Sequence, residues 1–204
     1  VTPCTIEGMS YESMTYDDVT PTTIIENRST IAGMRTTAVA FASSVAENTI
    51  YTQVIPGKTL QASSNMAGGF RFHLHGGVTN VSGGPMDVTF RFKYGGVTLN
   101  ILRFQAIANS GGVYALLLRG HVFGSIGFPG NQSGGFEALL GGSDTVKNTV
   151  IDLAPTPRLG IPYAGTTGVN AYVDQTFLVT AQMSVSHANA SVNIESAYLE
   201  RLPY

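Results

Sequence analysis

Hydrophobic and polar residues alternate most regularly over residues 87–104. The apolar positions are Val88, Phe90, Phe92 and Tyr94 in a first run, and Val97, Leu99 and Ile101 in a second run. A period of two places one side of a strand on a core and the other side in water. The two runs are separated by Gly95-Gly96, and two glycines supply the positive φ angles that a two-residue hairpin turn requires. The pattern therefore predicts a β-hairpin over residues 87–104.

Shorter β-prone runs lie on both sides of this hairpin. They cover residues 38–42, 48–55, 69–79, 113–123, 148–153, 172–185 and 192–202. In the last run the apolar residues change parity, which predicts a β-bulge near Glu195 and Ser196. Residues 124–142 and 154–168 are rich in glycine and proline, which predicts turns in the first segment and a long loop in the second.

Eight to ten strands with glycine-rich turns and no amphipathic helix predict an all-β fold, an antiparallel β-sandwich. The long connections and the paired C-terminal strand favour a jelly roll. Residues 1–33 have no clean period, yet they hold more aromatic and β-branched residues than a disordered tail would. We therefore predict an extended N-terminal arm over residues 1–45, packed on the body or on a neighbouring subunit, and a sandwich domain over residues 46–204. The alternative is that the first residues form a strand and loops of the same domain.

The charge composition of the chain limits the kinds of macromolecule that it is expected to bind. Charged residues make up only 12% of the chain, about half the usual share. The net charge of −2 provides no basic field for nucleic acid or an anionic membrane, so we predict neither as a partner. Residues 1–57 carry six acids against two bases, so the leading segment is acidic. The single Cys4 excludes an intramolecular disulfide and a cysteine zinc cage.

The sharpest candidate for chemistry is the pair His73 and His75. Residues two apart on a strand face the same side, so both imidazoles could reach one metal ion. The pair resembles the one in cupins, but no glutamate follows before Glu137, so the ligand set is incomplete. A solvated or interface strand face is the preferred interpretation. We predict no catalytic, cofactor or metal site, and hence no enzymatic activity.

A modest basic stripe accompanies the predicted hairpin. Arg91 and Lys93 share its polar face, and Arg71 would join them if its strand were a neighbour. Such a stripe is either a solvated face or a contact for acidic residues such as those of the arm, within or between subunits. The candidate partner-interface residues are Tyr11, Tyr16, Ile24, Ile25, Arg91 and Lys93.

Three segments of residues 58–202 resemble a diffuse group of virion surface proteins from tailed bacteriophages. They are residues 90–99 (FRFKYGGVTL), 177–184 (FLVTAQMS) and 189–192 (NASV). The resemblance implies a capsid decoration (cement) protein or a tail-fibre or spike domain, in many cases a trimeric jelly roll.

On this resemblance we predict a non-enzymatic homotrimer that binds the major capsid protein and sister copies. Its place would be the outer capsid surface of the virion, after assembly in the host cytoplasm. The alternative is a receptor- or glycan-binding head of a tail fibre, with exposed side chains such as Tyr163, Asn170 and Tyr172 on loops at one end.

Overall fold

The structure is a computed structural model that describes residues 30–32, 39–63, 66–109, 111–141, 151–152 and 162–202. Every regular element in these ranges is a β-strand. The strands are β1 Thr30–Ala32, β2 Val39–Ala42, β3 Asn48–Ile55, β4 Gln61–Ser63, β5 Met66–Ala67, β6 Gly69–Asn80, β7 Met86–Tyr94, β8 Val97–Ile107, β9 Val113–Ser125, β10 Phe128–Gly141, β11 Ile151–Asp152, β12 Pro162–Thr166, β13 Gln175–Met183 and β14 Ala190–Leu202. No helix in this part of the chain is long and apolar enough to cross a membrane.

Most of the strands form two antiparallel sheets, which confirms the predicted sandwich, and β4 and β5 form a separate two-stranded sheet. The larger sheet has the order β1-β14-β6-β9-β10-β12, with β2 also paired to β14, and the smaller has the order β11-β8-β7-β13-β3. Eight of these strands form four nested antiparallel pairs: β7 with β8, β6 with β9, β3 with β13, and β2 with β14. A long ribbon of nested pairs rolled into two sheets is a jelly roll.

The predicted hairpin is the innermost of these nested pairs. Strands β7 and β8 meet at Gly95 and Gly96, whose φ angles are +54° and +83°. Positive φ at both turn positions is the requirement that the two glycines satisfy without steric cost. The predicted bulge is also present, because Ile194 pairs with Gly76 and Ser196 pairs with His75, so Glu195 is the extra residue on β14.

Strand β10 corrects the turn-rich interpretation of residues 124–142. It pairs with β9 from Phe128 to Gly141, with an irregularity between Phe128 and Gln132. Most of the glycines that suggested turns lie inside the strand, whereas Gly127, whose φ is +77°, lies in the turn before it. At Gly134 a Cβ atom would lie 2.5 Å from the backbone oxygen of His121, so glycine permits a close approach of two backbones. Strand β12 likewise lies within the predicted long loop.

Part of the predicted arm belongs to the larger sheet. Strands β1 and β2 lie within residues 1–45 and both pair with β14. The domain division at residue 45 stays a prediction, and residues 1–29 lie outside the described part of the chain.

The core lies between the two sheets and is aromatic at its centre. Phe70 and Phe72 of the larger sheet contact Phe177 of the smaller sheet, with ring centroids 5.1 Å and 4.9 Å apart. Phe136 on β10 contacts Phe92 on β7 at 5.0 Å. Because inward positions are filled in this way, polar side chains alternate onto the two outer faces of the sandwich.

Candidate functional site

The outer face of the larger sheet carries an open groove of about 490 Å³. We call it the sheet groove. Its lining residues are Arg71, His73, Arg119, Gly120, His121, Phe123, Gly135, Phe136, Glu137 and Leu202. They come from the neighbouring strands β6, β9, β10 and β14, so strand pairing rather than loop conformation holds them in place.

Strand register brings the charged residues of the sheet groove together. Arg119 is paired across strands with His73 on one side and with Glu137 on the other. The Nε atom of Arg119 donates a hydrogen bond to Glu137 Oε2 at 2.5 Å. This bond and the charge of Glu137 raise the pKa of Arg119. Residues directly opposite each other on neighbouring strands lie on the same face of a sheet, so all three side chains point outward.

A second ion pair borders the sheet groove. The Nε of Arg71 donates to Oε2 of Glu200 at 2.7 Å, and its Nη2 lies at the same distance from that oxygen. The Arg71 side chain is half exposed, whereas that of Glu200 is 9% exposed. The hydroxyl of Tyr198 also donates to Glu200 Oε2, at 3.1 Å. The carboxylate is therefore held by the fold while the guanidinium remains accessible.

Two glycines make room for the rings that line the sheet groove. A Cβ atom at Gly69 would lie 2.5 Å from Cδ1 of Phe123, and one at Gly135 would lie 2.8 Å from Cε1 of His121. The two rings therefore cover positions that have no side chain of their own. They also contact each other, with centroids 5.1 Å apart. Phe123 remains 37% exposed, so an apolar ring face is available on an otherwise polar surface.

His73 and His75 share the outer face of β6, as their spacing predicts. Among the described residues no three His, Cys, Asp or Glu side chains come close enough to hold a metal ion. Burial lowers the pKa of His73, and the neighbouring Arg71, His75 and Arg119 lower it further, while Glu200 opposes them. The neutral form of the His73 imidazole is therefore favoured, and this ring lines the sheet groove.

The basic stripe lies on the outer face of the smaller sheet, around Glu47. The Nζ of Lys93 donates to Glu47 Oε1 at 2.5 Å, and Arg91 Nη1 lies 3.5 Å from Glu47 Oε2. The hydroxyl of Thr180 donates to Glu47 Oε1 at 2.6 Å, and Arg91 Nη2 donates to Gln182 at 2.9 Å. The stripe thus meets an acidic residue of the leading segment within one subunit. Its assignment to a subunit interface stays a prediction.

Replacing Glu47 by glutamine is expected to lower the free energy of unfolding by about 1–2 kcal/mol at pH 7. Hydrogen bonds from Lys93 and then Thr180 lower the pKa of Glu47, against the opposing effect of burial. The folded-state pKa is depressed, so the stabilisation is present above the ordinary pKa of 4.5 and is lost as the pH falls through the lower folded value.

Urea unfolding at pH 7 and at pH 3 measures the difference between wild type and Glu47→Gln. We expect the difference to shrink at pH 3, because this pH lies below the ordinary pKa of 4.5, where protonation of the unfolded chain reduces the stabilisation by the ionised carboxylate. Glu195→Gln is the matched control, because Glu195 is exposed on the bulge and accepts a hydrogen bond from the neutral Asn193 amide. An equal difference at both pH values would contradict the assigned role of the ionised carboxylate.

The loop end predicted for a binding head is more apolar than expected. Asn170 is exposed, but its Oδ1 accepts a hydrogen bond from the backbone of Tyr172, whose side chain is half buried. The large exposed side chains at this end include Val173, Ile126 in the turn between β9 and β10, and Phe128 at the start of β10. Nothing is described of the Tyr163 side chain, and Cys4, Tyr11, Tyr16, Ile24 and Ile25 lie outside the described residues.

Sequence reasoning missed the main residues of the sheet groove. Arg119, His121 and Phe123 alternate with the buried Leu118 and Val122, and this alternation was the available signal. Glu137 was hidden in the segment interpreted as turns. Only the register between β9 and β10 shows that Glu137 faces Arg119.

Comparison with known proteins gives little further information. No protein-family model matches the chain, and no curated protein matches it. One similar solved structure is the CBM2 module of the evolved Dit of Lactobacillus casei BL23 phage J-1. It is 14% identical, over 75% of this chain and 69% of that chain, with a TM-score of 0.34. At this identity and score it does not assign a function to the chain.

Proposed function

We propose that this chain is a non-enzymatic structural protein of a tailed-bacteriophage virion. In the first form of the proposal the jelly roll stands on the outer capsid surface as a decoration protein. Residues 1–45 connect it to the major capsid protein and to sister copies in a homotrimer. The resemblance carried by residues 90–99 and 177–184 supports this proposal, and both segments lie in strands of the folded body.

The observation that carries the attachment role is the pairing of β1 and β2 with β14. Backbone of the leading segment joins the sheet at Ser191–Ile194 through β2 and at Leu199–Glu200 through β1. Strand addition gives affinity through main-chain hydrogen bonds and requires little of the side chains. Because β1 and β2 fasten the leading segment to the body, contacts that residues 1–29 make with a shell subunit hold the whole domain on the shell. An extended arm also spreads many weak contacts over a large area.

Deleting residues 1–29 is expected to abolish binding to empty capsids while the body stays folded. The deletion keeps β1 and β2, so the edge of β14 remains covered and the sheet is not opened. Co-sedimentation with capsids measures binding, and thermal unfolding of the free protein measures folding. The matched comparison is the full chain with Arg91→Ala and Lys93→Ala, which tests whether the body's basic stripe contributes instead. Normal capsid binding by the truncated protein would refute the attachment role.

A second candidate function is a receptor-binding head of a tail fibre or spike. The sheet groove favours it, because an accessible ring face beside two arginines and a carboxylate can contact both the apolar and the polar groups of a small ligand. Binding of the full chain to an array of glycans distinguishes the two candidates, since a purely structural decoration protein is expected to bind none of them.

A further inference from the structure

We propose that the sheet groove binds a neutral saccharide, with Phe123 as the stacking surface and the Arg119–Glu137 pair as the hydrogen-bonding edge. The proposal rests on the second candidate function and specifies its ligand class and its location. The site lies on the strand face between β6, β9 and β10, not on the loops around Asn170.

The shape and apolar part of the sheet groove suit a sugar ring. Its volume of about 490 Å³ lies within the range of small-molecule sites. Phe123 covers Gly69 and remains partly exposed, so one ring face can pack against the C–H face of a pyranose. An aromatic ring provides contact area while losing little conformational entropy. Leu202 adds an apolar side chain to the lining.

The polar part of the sheet groove matches hydroxyl groups, which both donate and accept. A guanidinium has five N–H donors, and Arg119 uses its Nε for Glu137. A carboxylate accepts at several lone-pair positions, and Glu137 Oε2 already accepts from Arg119. The pair therefore offers charged donors and charged acceptors side by side to adjacent hydroxyls of one sugar. Hydrogen bonds to charged partners are stronger than neutral ones.

The charge balance favours a neutral ligand over an anionic one. Two arginines face two carboxylates, because Arg71 is paired with Glu200 and Arg119 with Glu137. Because its pKa is lowered, the His73 imidazole is neutral near neutral pH and adds no positive charge to the sheet groove. A phosphate or a carboxylated sugar would have to approach Glu137, and like charges in one site repel. The balanced pairs therefore discriminate against anions.

The sheet groove is also held in place before a ligand arrives. Its residues lie on strands whose registers are continuous from Gly69 to Thr79 on β6 and from Gln132 to Gly141 on β10. Sites on strands keep their geometry better than sites on loops. Little ordering entropy is then lost on binding, which favours affinity for a small ligand.

A glycan array of neutral and acidic oligosaccharides, probed with the full chain, identifies the ligand, and calorimetric titration with the best binder gives the dissociation constant. We expect binding to neutral glycans, weakened at least tenfold by Phe123→Ala and by Glu137→Gln. Phe128→Ala is the matched control, because it removes an exposed phenylalanine at the start of β10, outside the sheet groove. We expect it to change the constant less than twofold. Thermal unfolding of each variant checks that it is folded.

The possible results distinguish a wrong binding site from a wrong receptor-binding function. If the wild type binds no glycan, both the saccharide site and the receptor-binding function are overturned. If Asn170→Ala abolishes binding while Phe123→Ala and Glu137→Gln do not, the sheet groove is the wrong site but the function stands. Binding restricted to acidic glycans would overturn the neutral class argued from the charge balance.

Discussion

Replacing Phe72 by alanine is expected to lower the free energy of unfolding by about 3–5 kcal/mol. Phe72 is completely buried, and its ring lies 4.9 Å from that of Phe177, 5.6 Å from Phe92 and 6.1 Å from Phe136. Two of these partners belong to the smaller sheet, so Phe72 joins the sheets at the centre of the core. Truncation removes its buried area and leaves a cavity that rigid strands on both sides cannot fill.

Phe123→Ala is the matched control for Phe72→Ala. Phe123 lies on the neighbouring strand β9 but faces the sheet groove and is partly exposed. We expect its loss to cost about 1 kcal/mol or less, since an exposed side chain leaves no internal cavity. Chemical unfolding of both variants at pH 7 measures the difference. Similar losses at the two sites would contradict the assignment of Phe72 to the centre of the core.

The fold was predictable where one strand face is apolar and the other polar. Phe90, Phe92 and Tyr94 mark the buried face of β7, and the hairpin followed from them and from Gly95-Gly96. Strand β10 was not predictable in this way, because Gly134 and Gly135 have no side chains to show a period. Their role is a close approach to β9, which depends on a neighbour that is distant in sequence.

The candidate sites were predictable only within single strands. The spacing of His73 and His75 correctly places both on one face, because that inference needs no partner strand. The pairs Arg119–Glu137 and Lys93–Glu47 depend on register and on residues up to 46 positions apart. The pattern left open whether the basic stripe is a solvated face or a contact for acidic residues, and it could not select Glu47. The four candidate interface residues of the arm lie outside the described residues and remain predictions.

The ion pairs show how the few charged residues of this chain are arranged on its surface. Arg71, Arg91, Lys93, Arg103 and Arg119 each form an ion pair with a carboxylate across neighbouring strands or, for Glu47, from the segment before β3. On the described faces these basic side chains are therefore paired with specific carboxylates and do not form a continuous positively charged surface. On the larger sheet each arginine has its own carboxylate, whereas on the smaller sheet Arg91 and Lys93 share Glu47.

Replacing Gly76 by alanine is expected to lower the free energy of unfolding by about 3 kcal/mol or more. Gly76 pairs with Ile194 beside the bulge on β14, and a Cβ atom there would overlap the carbonyl oxygen of Asn193. Backbone cannot move aside as a flexible side chain can, so the bulge and its register would have to shift. The sequence predicted the bulge from β14 alone, whereas the glycine that accommodates it is on β6.

Gly84→Ala provides the control for Gly76→Ala. Gly84 lies in the turn before β7, its φ is not positive, and no atom lies within 4 Å of where its Cβ would stand. We expect its replacement to change stability by less than about 0.5 kcal/mol. Urea unfolding measures both variants, and a Gly76→Ala protein as stable as wild type would show that the bulge does not need the glycine. A large loss at Gly76 alone would mean that the bulge at Glu195 fixes how β14 pairs with β6, and therefore where Tyr198 and Glu200 stand beside the sheet groove.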